Sequence, residues 1–253
     1  AASIRVAIPQ DEYFQSEQLC QIFRELAVDL IYSVAPSCDH EVLYPKEKVG
    51  AARMITTLTG FVDTQTVKRV RSLSTSARDI DIGYRGTELP FWLGRHGQLK
   101  GNIGKVFLAW KERTLLSMNI SVSPKDVLFG DDWILFLLRC RTALGVLGGT
   151  ELHDPTGRVK ERVLRYLQDH PEATFEETRN ACFKDDDQIL HLTVLSPRHF
   201  EYALTGVCQV LVEGDYGIMK PGTHYIEVKK DFSNIEDILK QIENKELCAK
   251  IAD

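Results

Sequence analysis

The sequence predicts an α/β fold built from parallel-sheet units. Short apolar, β-branched segments alternate with amphipathic helical ones almost from the first residues. Two strand-like segments, Ile4–Ile8 and Leu30–Val34, flank a single helix, a spacing that suits a right-handed βαβ crossover. The alternation then restarts beyond the polar run Ser72-Leu-Ser-Thr-Ser76, which marks a linker between a unit at 1–77 and a larger one at 78–253.

In order along the chain, Ile4-Arg-Val-Ala-Ile8 opens as a strand, and Ser16–Ala27 places Leu19, Ile22, Phe23 and Leu26 at helical spacing. Leu30–Val34 is closed by Ala35-Pro36, and a charged helical stretch runs through Arg71. After the break, Asp79–Gly83, Ser117–Val122 and Thr142–Leu147 read as strands, with helices at Gly97–Lys111 and Asp131–Arg141 between them. Gly130-Asp131-Asp132 resembles a metal motif, but it precedes an apolar helix, so an aspartate N-cap is expected. Helices follow at Arg158–His170 and Thr174–Phe183, the latter opened by Thr174-Phe-Glu-Glu177, a capping-box pattern. Pro197–Leu204 is a further helix, Val207–Glu213 a buried strand and His224–Val228 the last strand. Ser233-Asn-Ile-Glu236 has the same capping pattern and opens a helix with Ile235, Ile238, Leu239 and Ile242 on one face.

Composition excludes several classes. At 253 residues and 28.7 kDa the chain can bury a core without staples, and 43% hydrophobic with 26% charged residues is an ordinary globular balance. Residues 1–77 hold 8 basic against 9 acidic side chains and the remainder 23 against 27, so neither part is a basic arm and nucleic acid is not an expected partner. The longest compact apolar run, Trp133–Leu138, is far too short to cross a bilayer. The opening Ala1-Ala2-Ser3 reads as a cloning scar, which leaves processing of that end illegible. Six scattered cysteines without a Cys-x-x-Cys pair predict buried free thiols in a reducing compartment, hence a cytoplasmic location.

In doubly wound sheets, ligands bind beyond the carboxyl ends of the strands, and three loops there carry unusual residues. The first is Asp81-Ile-Gly83-Tyr-Arg85-Gly86, continuing to Gly94-Arg-His-Gly-Gln-Leu-Lys100. Gly83 and Gly86 allow close backbone approach, and Arg85, Arg95 and Lys100 set cations near a helix start, which suits a diphosphate. A glycine-rich loop with solvated cations is the alternative, and neither the P-loop nor the dinucleotide fingerprint is matched. The second, Leu144-Gly-Val-Leu-Gly-Gly149-Thr-Glu151-Leu-His153-Asp154, either contacts a sugar or forms a plain turn. The third is Ser196-Pro-Arg198-His199-Phe-Glu201. Arg198 and Glu201 share a helix face and could form an ordinary pair. A carboxylate there could instead accept both hydroxyls of a ribose. Together the loops predict a uridine or guanosine diphosphate bound around 83–86, 147–151 and 196–201. Asp185-Asp-Asp187 with His191 has a metal-like spacing but reads as a solvated loop, so no metal is expected.

These residues resemble the carboxyl-terminal half of group 1 glycosyltransferases of the GT-B fold, in particular a poorly characterised bacterial subfamily. The resemblance is carried by Ser196–Glu201, Glu213-Gly-Asp-Tyr-Gly217, Lys220-Pro-Gly-Thr-His-Tyr225 and Asp231–Ile238, with Asp79–Gly86 and Phe129–Trp133 in support. It implies a nucleotide-sugar-binding domain at 78–253, preceded at 1–77 by the closing part of an amino-terminal Rossmann-like unit. It also implies transfer of a sugar from a nucleotide-diphosphate donor, the donor being a substrate and no cofactor being required, to a saccharide or other acceptor, as in polysaccharide biosynthesis, with peripheral membrane association compatible. By resemblance Glu201 holds the donor ribose. Arg85 and Lys100 are the nearest matches to the cations that stabilise the leaving diphosphate, with Gly83, Gly86, Gly149, Glu151, Arg198 and His199 lining the substrate site. One departure stands out: the family's Glu-x7-Glu pattern would put a second carboxylate at 193, where this chain has Thr193. That favours the alternative, a non-catalytic nucleotide-binding or interaction module.

Overall fold

The computed structural model describes residues 3–73 and 77–253, so Ser74–Ser76 of the expected linker lie outside the described residues. Among these, ten strands form: β1 (Val6–Ala7), β2 (Leu30–Ser33), β3 (Arg53–Thr56), β4 (Ile80–Arg85), β5 (Met118–Ser121), β6 (Cys140–Gly145), β7 (Gly148–Gly149), β8 (Thr193–Val194), β9 (Cys208–Val212) and β10 (Tyr225–Val228). The α/β prediction holds, with one parallel sheet of three strands and one of five.

The chain divides into two compact units: residues 1–58, 90–98 and 148–194 form one, and 59–89, 99–147 and 195–253 the other. A single cut at 77/78 therefore does not describe the contacts. The reason is that Leu190, Leu192 and Val194 pack with Cys20, Phe23, Ile31 and Leu43, far back in sequence.

The second unit carries the five-stranded sheet, ordered β10-β9-β6-β4-β5 with every pair parallel. Helices cover both faces, which is why β9, Cys-Gln-Val-Leu-Val, is buried throughout rather than alternating. Ile103 and Phe107 of the helix Gly94–Ala109 and Ile238 and Ile242 of Ile235–Glu243 pack with Ile82, Tyr84, Val210 and Val212. Phe136 and Leu137 of the helix Gly130–Arg139, with Tyr202 of Pro197–Leu204, pack with Cys140 and Ala143. β4 is flanked by β5 on one side and β6 on the other, so the direction of strand addition reverses between β4 and β6.

Two predicted helix starts are built differently. Asp131 and Asp132 are not caps: the helix begins at Gly130, and both sit in its first turn, favourable to the dipole, with Asp131 paired to Arg69 at 2.6 Å. The second capping box is absent. Asn234 precedes that helix, but its side chain accepts from the Lys229 amide and donates to the Glu227 carbonyl, while Glu236 pairs with Lys240. The helix's apolar face is buried as expected.

The first unit holds the three-stranded sheet β1-β2-β3, joined through the helix Ser16–Glu25 as a parallel βαβ unit. Ile4, Val6 and Ile8 around its edge strand stay exposed. β7 and β8 pair antiparallel, and a second cluster of Leu152, Val159, Val163 and Phe183 packs with Trp92 and Phe175. The capping box at Thr174 and Glu177 forms as predicted. No helix among the described residues is long and apolar enough to cross a membrane. Five of the six cysteines are buried and all six are free thiols.

Candidate functional site

The reversal between β4 and β6 opens a crevice at their carboxyl ends, where open α/β sheets bind ligands. A cleft of about 460 Å³ lies there within the second unit. Its walls include Tyr84, Arg85 and Gly86 from the end of β4, Val146 just past β6, Lys100, Trp133, and Ser196, Arg198 and Glu201 at the start of the helix Pro197–Leu204. The first and third predicted loops thus meet in one cleft, with Arg85, Gly86, Lys100, Arg198 and Glu201 all on its walls.

Pro197 at the first helical position fixes a helical φ and removes an amide that would have no partner. The helix then presents Arg198 and Glu201 on one face. Glu201 Oε2 accepts from the Trp133 indole N–H at 2.8 Å, and Oε1 has no donor among the described residues. The Arg198 guanidinium lies 5.6 Å from the Tyr84 ring centre and 5.3 Å from that of Trp133. Two aromatic faces therefore hold the cation in place; among the described residues the alternative, an ordinary pair with Glu201, does not form, and the Glu201 carboxylate bonds Trp133 instead. Tyr84 is itself fixed by donating to the Lys100 carbonyl at 2.7 Å. Trp133 was not among the predicted site residues, although an indole N–H near the interior calls for an acceptor.

Other predicted residues have structural work. The Arg85 guanidinium donates to the carbonyls of Tyr84 and Asn119 and to the Asn119 side chain, and stacks 4.2 Å over Phe136. Gly83 lies in the middle of β4, where an added Cβ would meet Cys140 Sγ at 2.2 Å. It serves sheet–helix packing, and it is not on the cleft wall. His199 is buried beneath the helix start; its Nδ1 accepts from the Ser196 amide at 2.9 Å, so the neutral ring carries its proton on Nε2, which has no partner among the described residues. Burial, with Arg198 and Lys100 adding to it, pushes its pKa down to about 4.

The second predicted loop is split: residues 144–147 belong to the second unit, where Val146 lines the cleft, whereas residues 148–154 belong to the first unit and contribute nothing to it. Gly149 has φ +80° and would, with a Cβ, stand 2.0 Å from the Leu192 carbonyl oxygen. The backbone carbonyl of Glu151 accepts from the Ile189 and Leu190 amides. Asp154 accepts from the Val159 and Lys160 amides and caps a helix, and His153 bonds Ser16. The plain-turn alternative describes this loop. The acidic run is likewise structural: Asp186 pairs with Arg162, and Asp187 pairs with Arg179 at 2.7 Å. A larger groove of about 590 Å³ in the first unit runs along the helix Ser16–Glu25, with its Glu17 and Lys48 already paired.

No protein-family model matches the chain, and no curated protein matches it. Among solved structures, it is similar to HepE of Anabaena in complex with UDP and glucose, at 12% identity and a TM-score of 0.41 over 98% of this chain. The chain spans 64% of that protein's length.

Proposed function

We propose that the second unit binds the nucleoside diphosphate of a sugar donor in the β4/β6 cleft, and that the protein is a glycosyltransferase. The observation that carries this reading is the Glu201 carboxylate, held by Trp133 with one oxygen uncommitted, beside the ring-clamped Arg198. A carboxylate fixed in this way accepts vicinal ribose hydroxyls. The cations of Arg198 and Lys100 then face the phosphates, where charge develops as the diphosphate leaves. Arg85, whose guanidinium is engaged with Asn119 and Phe136, supports the β4 loop, and the fork that engages phosphate oxygens passes to Arg198. The group 1 resemblance of Ser196–Glu201 supports the same assignment. A metal is not required, because the cations do the neutralising.

A second reading, binding without transfer, is favoured by Thr193, which lies in β8 of the first unit, paired with Gly149, and offers no carboxylate. Calorimetry with uridine and guanosine ligands, followed by a transfer assay over a panel of nucleotide sugars, tests both. Affinity should rise from nucleoside to monophosphate to diphosphate and fall with salt, since partly exposed pairs are screened over ~8–10 Å. Absence of diphosphate binding to folded protein removes both readings, and binding without turnover of any donor selects the second.

A further inference from the structure

We propose that Cys38, Asp39 and His191 of the first unit form a binding site for a zinc-like divalent cation. It does not rest on the cleft of the second unit. The three residues come from the loop after β2 and from the segment just before β8, so no sequence motif joins them. Their candidate ligand atoms all lie within 4.8 Å of one another.

The geometry is close to what a tetrahedral ion needs. Asp39 Oδ1 is 3.1 Å from His191 Nδ1 and 3.8 Å from Cys38 Sγ. Zinc bonds of about 2.0 Å to oxygen and nitrogen and about 2.3 Å to sulfur give tetrahedral edges of roughly 3.3 Å for N···O and 3.5 Å for S···O. Small rotations of two exposed side chains therefore close the site. The third ligand is already fixed: Asp39 is 1% exposed, and its Oδ2 accepts from the His191 backbone amide at 2.7 Å. That bond turns Oδ1 toward the other two ligands, as outer hydrogen bonds do at metal sites.

Charge points the same way. Asp39 is a buried carboxylate with no Lys or Arg paired to it among the described residues, and such a group gains from a cation. On binding, the Cys38 thiol gives up its proton to solvent, and the neutral imidazole keeps its own on Nε2. One thiolate and one carboxylate then balance the divalent charge. A sulfur–nitrogen–oxygen set selects zinc or cobalt over magnesium or calcium, which want oxygen alone. With Cys38 and His191 exposed, the fourth position opens to solvent, the arrangement of a site that keeps a water or exchangeable ligand.

Titrating the reduced full chain with Co²⁺ is the direct test. One equivalent should produce a thiolate-to-cobalt charge-transfer band in the near ultraviolet, which Zn²⁺ displaces and millimolar Mg²⁺ does not. Cys38→Ser should abolish the band, and His191→Ala should weaken Zn²⁺ affinity by about tenfold or more, the scale expected for disturbing a metal site. Both side chains are exposed and Asp39 keeps its bond to the backbone amide of residue 191 in either variant, so circular dichroism should keep the parent spectrum. No band with the parent, or an undiminished band in folded Cys38→Ser, overturns the proposal.

Discussion

In the first unit Glu12 accepts from the Ser33 hydroxyl, the Val34 amide and the Tyr44 hydroxyl at 2.7, 2.9 and 2.7 Å. In the second, the Glu201 carboxylate accepts, among the described residues, from the Trp133 indole alone. Both carboxylates stand beyond strand ends, Glu12 past β1 and Glu201 in the helix start lining the cleft past β4 and β6. Glu12 is 1% exposed and spent on fixing loops, and Asp154 and Asp187 of the same unit are spent likewise. The difference teaches that position at a strand end does not identify a ligand site. What identifies one is a polar group anchored at one atom and uncommitted at another.

If that contrast is right, mutations in the first unit should cost stability and mutations on the cleft wall should cost binding. The largest effect is expected at Glu12. Glu12→Leu strands the buried Ser33 and Tyr44 hydroxyls and the part-buried Val34 amide at once, each worth about 1–3 kcal/mol when unpaired, so urea denaturation should show a loss of about 3–5 kcal/mol. A loss under about 1 kcal/mol would erase the distinction between the two carboxylates.

Gly149→Ala comes next. The added Cβ would meet the Leu192 carbonyl at 2.0 Å in a backbone at φ +80°, so the β7–β8 pairing must shift. Overpacking together with left-handed strain predicts about 2–4 kcal/mol of lost stability. Nucleoside diphosphate affinity of the protein that remains folded should be unchanged. An affinity loss in that folded fraction would return Gly149 to the binding site.

On the cleft wall, Glu201→Gln should leave the urea midpoint within experimental reach of the parent, because a Gln oxygen still accepts from Trp133. Losing the charge-assisted bonds to ribose should cost about 1.5–3 kcal/mol of diphosphate affinity, roughly tenfold to a hundredfold by calorimetry. Unaltered affinity would make Glu201 another residue of the Glu12 kind.

Much of the fold was legible because local pattern decides it. The βαβ unit, the helix at Pro197–Leu204 and the capping box at Thr174 follow from periodicity and cap chemistry, and all form. The discontinuous first unit was not legible, since the contact of Leu190 and Leu192 with Phe23 and Ile31 depends on tertiary packing. The Ser233–Glu236 pattern failed because Asn234 is engaged by the preceding turn. In the cleft, Arg85, Lys100, Arg198 and Glu201 were readable as chemistry after strands. Trp133 was hidden by its place in an apolar helix. Gly83 was misread because glycine serves close packing as readily as ligand approach.

The smallest effect concerns pH and His199, which separates burial from ligand work within the second unit. The folded ring titrates near 4 because it is buried, whereas an unfolded histidine titrates near 6.5. Between those values the unfolded chain binds more protons, so stability rises with pH and is lost as pH falls from about 6.5 toward 4. From pH 7 to pH 5 this group alone should remove about 1–2 kcal/mol. His153, also lowered by burial, adds in the same direction from the first unit. His199→Asn keeps an acceptor for the Ser196 amide and removes the titrating ring. Urea midpoints at pH 7 and pH 5 should therefore lie closer together in the variant than in the parent. An identical acid loss in both would mean that His199 is protonated or solvated in the folded protein, and that the floor beneath the helix start is open to water.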